Sequence, residues 1–293
     1  MALSVLSVES VWFGGRHRFV RWSEPSKLLI RRAKCDVEAE LAGFLKPSCS
    51  HLKGNGGVKG SVRFAHQMAR HHPFVARFDV RAYYESIDHQ VLLSELENAG
   101  LSLPLLELVN DYLTLPDTRQ SGRGMVAGGA ISPLLAAVYL TPLDRAFETL
   151  QRSANIRYER FMDDYVIFAP TRHKLKAAIK TMHSTLTALK VEVHPTKRFI
   201  GRTERGFDFL GYRIHPRRRL RPAAQSLNRL VERARRLHEQ GATQQRLRQY
   251  VQRWYTWLRS GLHGHVSSKG REARIWIYVL KQLQITSYTI KPN

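Results

Sequence analysis

The sequence predicts an α+β fold: a mixed layer of sheet and helix followed by a basic helical bundle. Three observations predict it. Short β-prone runs at 75–80, 156–168 and 206–214 are interspersed with helical periods at 88–99, 103–114 and 171–189, without the regular βαβ alternation of a parallel sheet. From Pro222 to about Gly261 the pattern becomes helical, basic and rich in Leu, Trp and Tyr. The 293 residues, 43% of them apolar, suffice for a buried core in one domain or two tightly joined ones.

Each element has a local reason. Basic residues crowd 16–34 (Arg16, Arg18, Arg21, Lys27, Arg31, Arg32, Lys34). His51 to Arg63, HLKGNGGVKGSVR, is glycine-rich and basic and reads as a mobile loop. Val75 to Val80 reads as a short strand ending at Asp79. Ser132-Pro133 reads as a helix start, with Ser as cap and Pro in the first turn. Two β-prone runs flank Asp163-Asp164, which is a hairpin signal. Thr171 caps a helix whose apolar positions are Leu175, Ala178, Ile179, Met182, Leu186 and Leu189.

The net charge is +23, and such an excess implies a polyanionic partner, most simply nucleic acid. An anionic membrane surface competes, but no lipidation signal accompanies the charge, and no run of 18 apolar residues suggests a span. The start, MALSVLSVESVWFGG, lacks the basic lead of a secretory signal. Two cysteines, Cys35 and Cys49, exclude a disulfide framework and suit a reducing cytoplasm. A Cys49/His51 metal site is disfavoured because no further ligands cluster with them.

An acid at a strand end and an acid pair in a tight hairpin have a joint chemistry. Three carboxylates in one cleft do not stay ionised at neutral pH without a cation. Two Mg²⁺ ions roughly 3.5–4 Å apart would neutralise them and catalyse in-line phosphoryl transfer. Mg²⁺ keeps several waters, so few protein ligands suffice. For the Asp163-Asp164 pair taken alone, a solvated turn is an equally good reading.

Four segments narrow that choice. Phe78-Asp79-Val80-Arg81-Ala82-Tyr83-Tyr84-Glu85-Ser86-Ile87-Asp88-His89 resembles the first palm motif of bacterial reverse transcriptases, closest to the group II intron type. Gly128-Gly129-Ala130-Ile131-Ser132-Pro133-Leu134-Leu135-Ala136 resembles their next motif. Phe161-Met162-Asp163-Asp164-Tyr165 resembles their metal-binding hairpin, and Phe207-Asp208-Phe209-Leu210-Gly211-Tyr212 their primer-grip hairpin. The resemblance covers roughly 74–215 and implies a right-hand polymerase: an N-terminal region with short fingers (1–73), a palm (74–215) and a basic helical thumb (216–293).

It also implies roles. Asp79, Val80, Asp163 and Asp164 form the metal set, for two Mg²⁺ with Mn²⁺ as a substitute. Tyr84 places a ring under the sugar that excludes a 2′-hydroxyl. Lys197 protonates the leaving pyrophosphate. Gly128 and Gly129 let backbone approach the template or incoming base. Lys53, Lys59 and Arg63 bind triphosphate in place of a missing fingers motif. Phe209, Leu210, Gly211 and Tyr212 grip the primer. Arg229, Arg233, Arg236, Arg246, Arg248 and Arg253 track a duplex backbone without reading sequence. Trp254, Tyr255 and Trp257 read better as helix-packing residues than as base-stacking platforms.

The chain departs from the family at Ala127, where Gln is usual, and in its short fingers. The appended DNA-binding and endonuclease regions of intron proteins are not expected in residues 1–293, and Ser132-Pro133 stands where diversity-generating enzymes have Ser-Gln. The function implied is RNA-directed DNA synthesis on an RNA template, with a DNA product and a dedicated noncoding RNA, in phage defence or a mobile element. A partner protein or a second copy completing the fingers belongs to the same expectation. The alternatives are an RNA-binding subunit with weak or no catalysis, and a polymerase with untemplated or repetitive synthesis.

Overall fold

A computed structural model describes residues 6–45, 48–266 and 270–285. Residues 1–5, which begin the stretch read against a secretory signal, lie outside them. The chain divides into two compact units, Met1–Gly57 with Phe74–Gly201, and Val58–Pro73 with Arg202–Asn293. In chain order the elements are β1 (Val8–Gly14), β2 (His17–Trp22), α1 (Glu24–Glu40), α2 (Gly57–His71), β3 (Phe74–Asp79), α3 (Tyr83–Ser86), α4 (His89–Asn98), α5 (Leu103–Thr114), α6 (Ser132–Tyr139) and α7 (Thr141–Ala154). They continue with β4 (Arg157–Phe161), β5 (Asp164–Ala169), α8 (Arg172–Ala188), β6 (Phe199–Arg202), β7 (Phe207–Phe209), β8 (Tyr212–Ile214), β9 (Arg221–Pro222), α9 (Ala224–Glu239), α10 (Gln244–Arg259) and α11 (Arg271–Gln282).

The first unit is built on a four-stranded sheet in the order β4-β5-β3-β6, with β5 antiparallel to both neighbours. β5 reads Asp-Tyr-Val-Ile-Phe-Ala and is buried from Tyr165 to Ala169, as a central strand covered on both faces must be. Helices α7 and α8 pack directly on this sheet. α8 turns Leu175, Ala178, Met182 and Leu186 inward, and Thr171 caps it by accepting from Lys174 N, as the sequence predicts. Asp88 caps α4 in the same way through Val91 N.

Three expectations change. The glycine-rich stretch is a loop only to Gly56. Gly54, Gly56 and Gly57 stand at positive φ, and α2 then starts at once, because Val62, Ala65 and Ala69 recur at helical spacing and are buried. Ser132 does not cap α6. Its hydroxyl donates inward to Val126 O at 2.7 Å and accepts from the Tyr112 hydroxyl at 2.7 Å. Of the three C-terminal aromatics, Tyr255 is buried but Trp257 is half exposed beneath the Lys59 ammonium.

The N-terminal hairpin β1–β2 and helix α1 were not foreseen. Their signals, Gly14-Gly15 between β-prone runs and Ser23 with Pro25 at a helix start, are in the sequence, masked by the basic residues around them.

In the second unit, β7 and β8 form a hairpin closed by Leu210 and Gly211, both at positive φ, the pairing a two-residue primed turn requires. Phe209 and Tyr212 face inward, and the Tyr212 hydroxyl donates to Leu258 O at 2.7 Å. α9 buries Leu230, Val231 and Ala234, and α10 buries Leu247, Val251, Tyr255 and Leu258. The opposite faces leave Arg229, Arg233, Arg236, Arg246 and Arg253 exposed. Among the described residues no helix is long and apolar enough to cross a membrane.

Candidate active site

The acids come together because β3 and β5 pair in register. Asp79, the last residue of β3, lies opposite Asp164, the first of β5. Asp163 occupies the two-residue turn before it, and Val80 N donates to Asp163 O at 3.1 Å, closing the turn onto the end of β3. Beyond Asp79 the chain is held by the segment 192–194: His194 N donates to Asp79 O at 2.7 Å and Arg81 N to Glu192 O at 2.8 Å. That anchoring carries Lys197 back to the acids, with Nζ 3.2 Å from Asp79 Oδ2.

The electrostatics differ between the two neighbours in the hairpin. Burial, reinforced by the Asp79 charge, pushes the Asp163 carboxyl up to about 6. Asp164 is also raised by burial, but both its oxygens accept from Arg77, at 2.8 Å from Nε and 2.8 Å from NH2. Arg77 lies two residues before Asp79 on the same strand face, opposite Val166 and so diagonal to Asp164. The sequence reasoning missed this partner, although the period of two puts Arg77 and Asp79 on one face of β3.

The donor chemistry therefore fits a divalent cation at Asp79 and Asp163, hard oxygen ligands one of which is penalised for carrying charge unpaired. Asp164 is committed to a bidentate ion pair. Among the described residues no three acid, histidine or cysteine side chains form a ready metal-ligand set.

Other predicted residues fall into two groups. Tyr84, Gly128 and Gly129 lie in the first unit with the acids. The Tyr84 hydroxyl is pushed up to about 12 by burial and, less, by the Asp163 charge. Gly128 sits at φ 74. At Gly129 a Cβ would collide with the Tyr112 hydroxyl, so this glycine is explained by Tyr112. Gly129→Ala is expected to lose about 1–3 kcal/mol in urea denaturation through overpacking, and Tyr112→Phe in the same chain to recover part of it.

Lys53 is an exposed loop residue. Lys59 and Arg63 belong to the second unit and spend donors there. Lys59 Nζ donates to the Tyr212 hydroxyl and, at 2.7 Å, to Trp257 O, while burial pushes its pKa down to about 8. Arg63 NH1 donates to Gly261 O at 2.6 Å. Cys49 and Cys35 are free thiols. Burial pushes Cys49 up to about 12, which opposes a metal-bound thiolate.

Residues 25–214 match the family profile of the reverse transcriptases, described as RNA-dependent DNA polymerases. The chain belongs to the reverse transcriptase family. Its members are nucleotidyltransferases, and the matched span holds every acid of the site. No match was found among curated proteins.

This reverse transcriptase chain is also similar in fold to solved telomerases. Telomerase from Candida albicans in complex with a TWJ fragment of telomeric RNA superposes with a TM-score of 0.55 at 11% identity, over 87% of this chain and 51% of that one. Apo telomerase from Candida tropicalis gives 0.54 at 10% identity, over 86% and 53%. The chain thus spans about half the length of those telomerases, and at such identities the likeness concerns the fold alone.

Proposed function

We propose that this chain extends a nucleic-acid primer with deoxynucleotides on an RNA template, at a centre formed by Asp79 and Asp163. The observation that carries the reading is the register of β3 and β5, which pairs Asp79 with Asp164 and, with the Val80 N–H bond to Asp163 O, brings to the end of β3 an Asp163 carboxyl raised to about 6 by burial and by the Asp79 charge, an arrangement that favours a bound cation. Two Mg²⁺ ions, or Mn²⁺ in their place, would supply activation of the 3′-hydroxyl and neutralisation of the pyrophosphate. Asp79 and Asp163 would be the principal ligands, with Val80 adjoining; Asp164 joins them only if Arg77 releases it. Lys197, with Nζ 3.2 Å from Asp79 Oδ2, would serve as the acid for the leaving pyrophosphate. Tyr84 would set its ring under the sugar and exclude a 2′-hydroxyl.

The second unit would supply sequence-blind contacts through the exposed arginines of α9 and α10 and primer contacts through the Leu210–Gly211 turn. The sequence motifs favour a bacterial, group II intron-like enzyme of the cytoplasm working with a dedicated noncoding RNA in defence or a mobile element. The alternative, an RNA-binding subunit with weak catalysis, is favoured by the Arg77 lock on Asp164.

Purified protein given Mg²⁺, primed RNA and labelled nucleotides separates these. Extension with dNTPs and not NTPs is expected, lost in Asp79→Ala, with ribonucleotides entering in Tyr84→Ala. RNA binding without extension supports the alternative, and extension that ignores the supplied template supports untemplated synthesis.

A further inference from the structure

The turn that presents Asp163 begins at Met162, whose φ is 56. That left-handed region suits glycine and is uncommon for a long side chain, so it persists where surrounding contacts impose it. Two side chains grip the peptide groups on either side of Met162. Its N–H donates to His51 Nδ1 at 3.1 Å, and its carbonyl accepts from Arg160 NH1 at 3.1 Å.

Both grips are themselves braced. Arg160 is fully buried and ion-paired with Asp144. His51 belongs to a loop laid along β4: Arg160 N donates to Ser48 O at 2.9 Å, and Ser50 N and Ser50 Oγ both donate to Arg160 O at 2.9 Å. Asn55 Nδ2 donates to Cys49 O at 3.1 Å, tightening that loop. Because Nδ1 receives a backbone N–H, the His51 proton resides on Nε2, which donates to Pro133 O at 3.0 Å in the first turn of α6. The imidazole therefore joins the acid-bearing turn to the helix that follows Gly128 and Gly129. Its edge also meets the Phe161 ring, with centroids 5.9 Å apart.

We infer that His51 is a positioning residue for nucleotidyl transfer: through Met162 N–H it fixes the turn that aims the Asp163 carboxylate. The inference rests on the polymerase reading for its activity arm, but its cation-binding arm stands apart from it. A space-filling role would depend on the size of the side chain; a positioning role depends on an acceptor at one place. Asn carries an acceptor oxygen at the level of Nδ1, whereas Gln carries a donor at the level of Nε2. His51→Asn keeps the Met162 contact and gives up Pro133; His51→Gln does the reverse.

The test compares wild type, His51→Asn and His51→Gln in the full chain, by steady-state primer extension, Mn²⁺ titration followed by electron paramagnetic resonance, and thermal unfolding. Losing an outer group that orients a metal ligand costs roughly 10–100-fold in activity or metal affinity. His51→Gln is expected to lose that much in kcat, with KM for dNTP little changed, and about 10-fold or more in Mn²⁺ affinity. His51→Asn should stay within a few-fold of wild type on both, at an unfolding midpoint no higher than that of His51→Gln. Equal losses in the two variants, or wild-type behaviour in His51→Gln, would overturn the inference. Wild-type protein that binds Mn²⁺ but extends nothing would overturn the polymerase reading, and the Mn²⁺ affinities of the two variants would still decide the role of His51.

Discussion

Asp163→Asn is expected to abolish primer extension and, in the same protein, to raise stability when divalent cations are chelated. The loss should exceed about 10³-fold, because a cation ligand is removed where transition-state charge develops. The gain follows from the raised carboxyl. Held up to about 6 by burial and by Asp79, Asp163 binds its proton more tightly in the folded than in the unfolded chain. Its stabilising contribution is therefore present below the unfolded pKa near 4 and is lost as pH rises through 6, so at pH 8 the folded state carries an unfavourable charge. Replacing that charge with a neutral amide should add about 2 kcal/mol at pH 8 and nothing below about pH 4. Urea denaturation at both pH values in EDTA checks the sign. Adding Mn²⁺ should stabilise the wild type and leave the variant unmoved.

The second large effect concerns the buried pair behind the hairpin. Arg160 donates to Asp144 from Nε at 2.9 Å and from NH2, and to Ala137 O at 3.2 Å, while the Tyr158 hydroxyl donates to Asp144 Oδ1 at 2.8 Å. Both side chains are shut off from solvent. Asp144→Ala leaves a buried guanidinium without its counter-ion, and a loss of about 3–5 kcal/mol is expected. Against a total stability of about 5–15 kcal/mol, that is a large share of the whole.

The double change Asp144→Leu with Arg160→Met removes both charges and should recover most of the loss. It should not recover full activity, because the Arg160 bond to Met162 O is gone. Denaturation midpoints and extension rates measured on the wild type and these two variants separate stability from alignment. A double variant no more stable than Asp144→Ala would contradict this account of the pair.

Legibility in the sequence followed the range of each signal. β3, α8 and the β4–β5 hairpin were readable because alternation, a threonine cap and a flanked acid pair are local. The β7–β8 hairpin was reached only through the motif resemblance at 207–212, since its Leu210–Gly211 turn lies inside a stretch read as strand-like. Helix α2 was lost because its opening glycines outweighed the Val62, Ala65 and Ala69 spacing that follows.

Partnerships across long sequence distances were not readable. Arg77 and Asp164 are 87 residues apart, and only strand register reveals that they meet. His51 and Met162 are 111 residues apart, joined through a loop that no pattern marks as an extra edge of β4. The three acids were therefore found as a set, while the grip of Arg77 on one of them required the fold.

The most direct measurement is a crystal structure of the protein with Mn²⁺, recorded for anomalous scattering. The account predicts a manganese peak touching both the Asp79 and Asp163 carboxylates, with Lys197 displaced from Asp79. Manganese bound only elsewhere, with Asp79 still paired to Lys197, would contradict it.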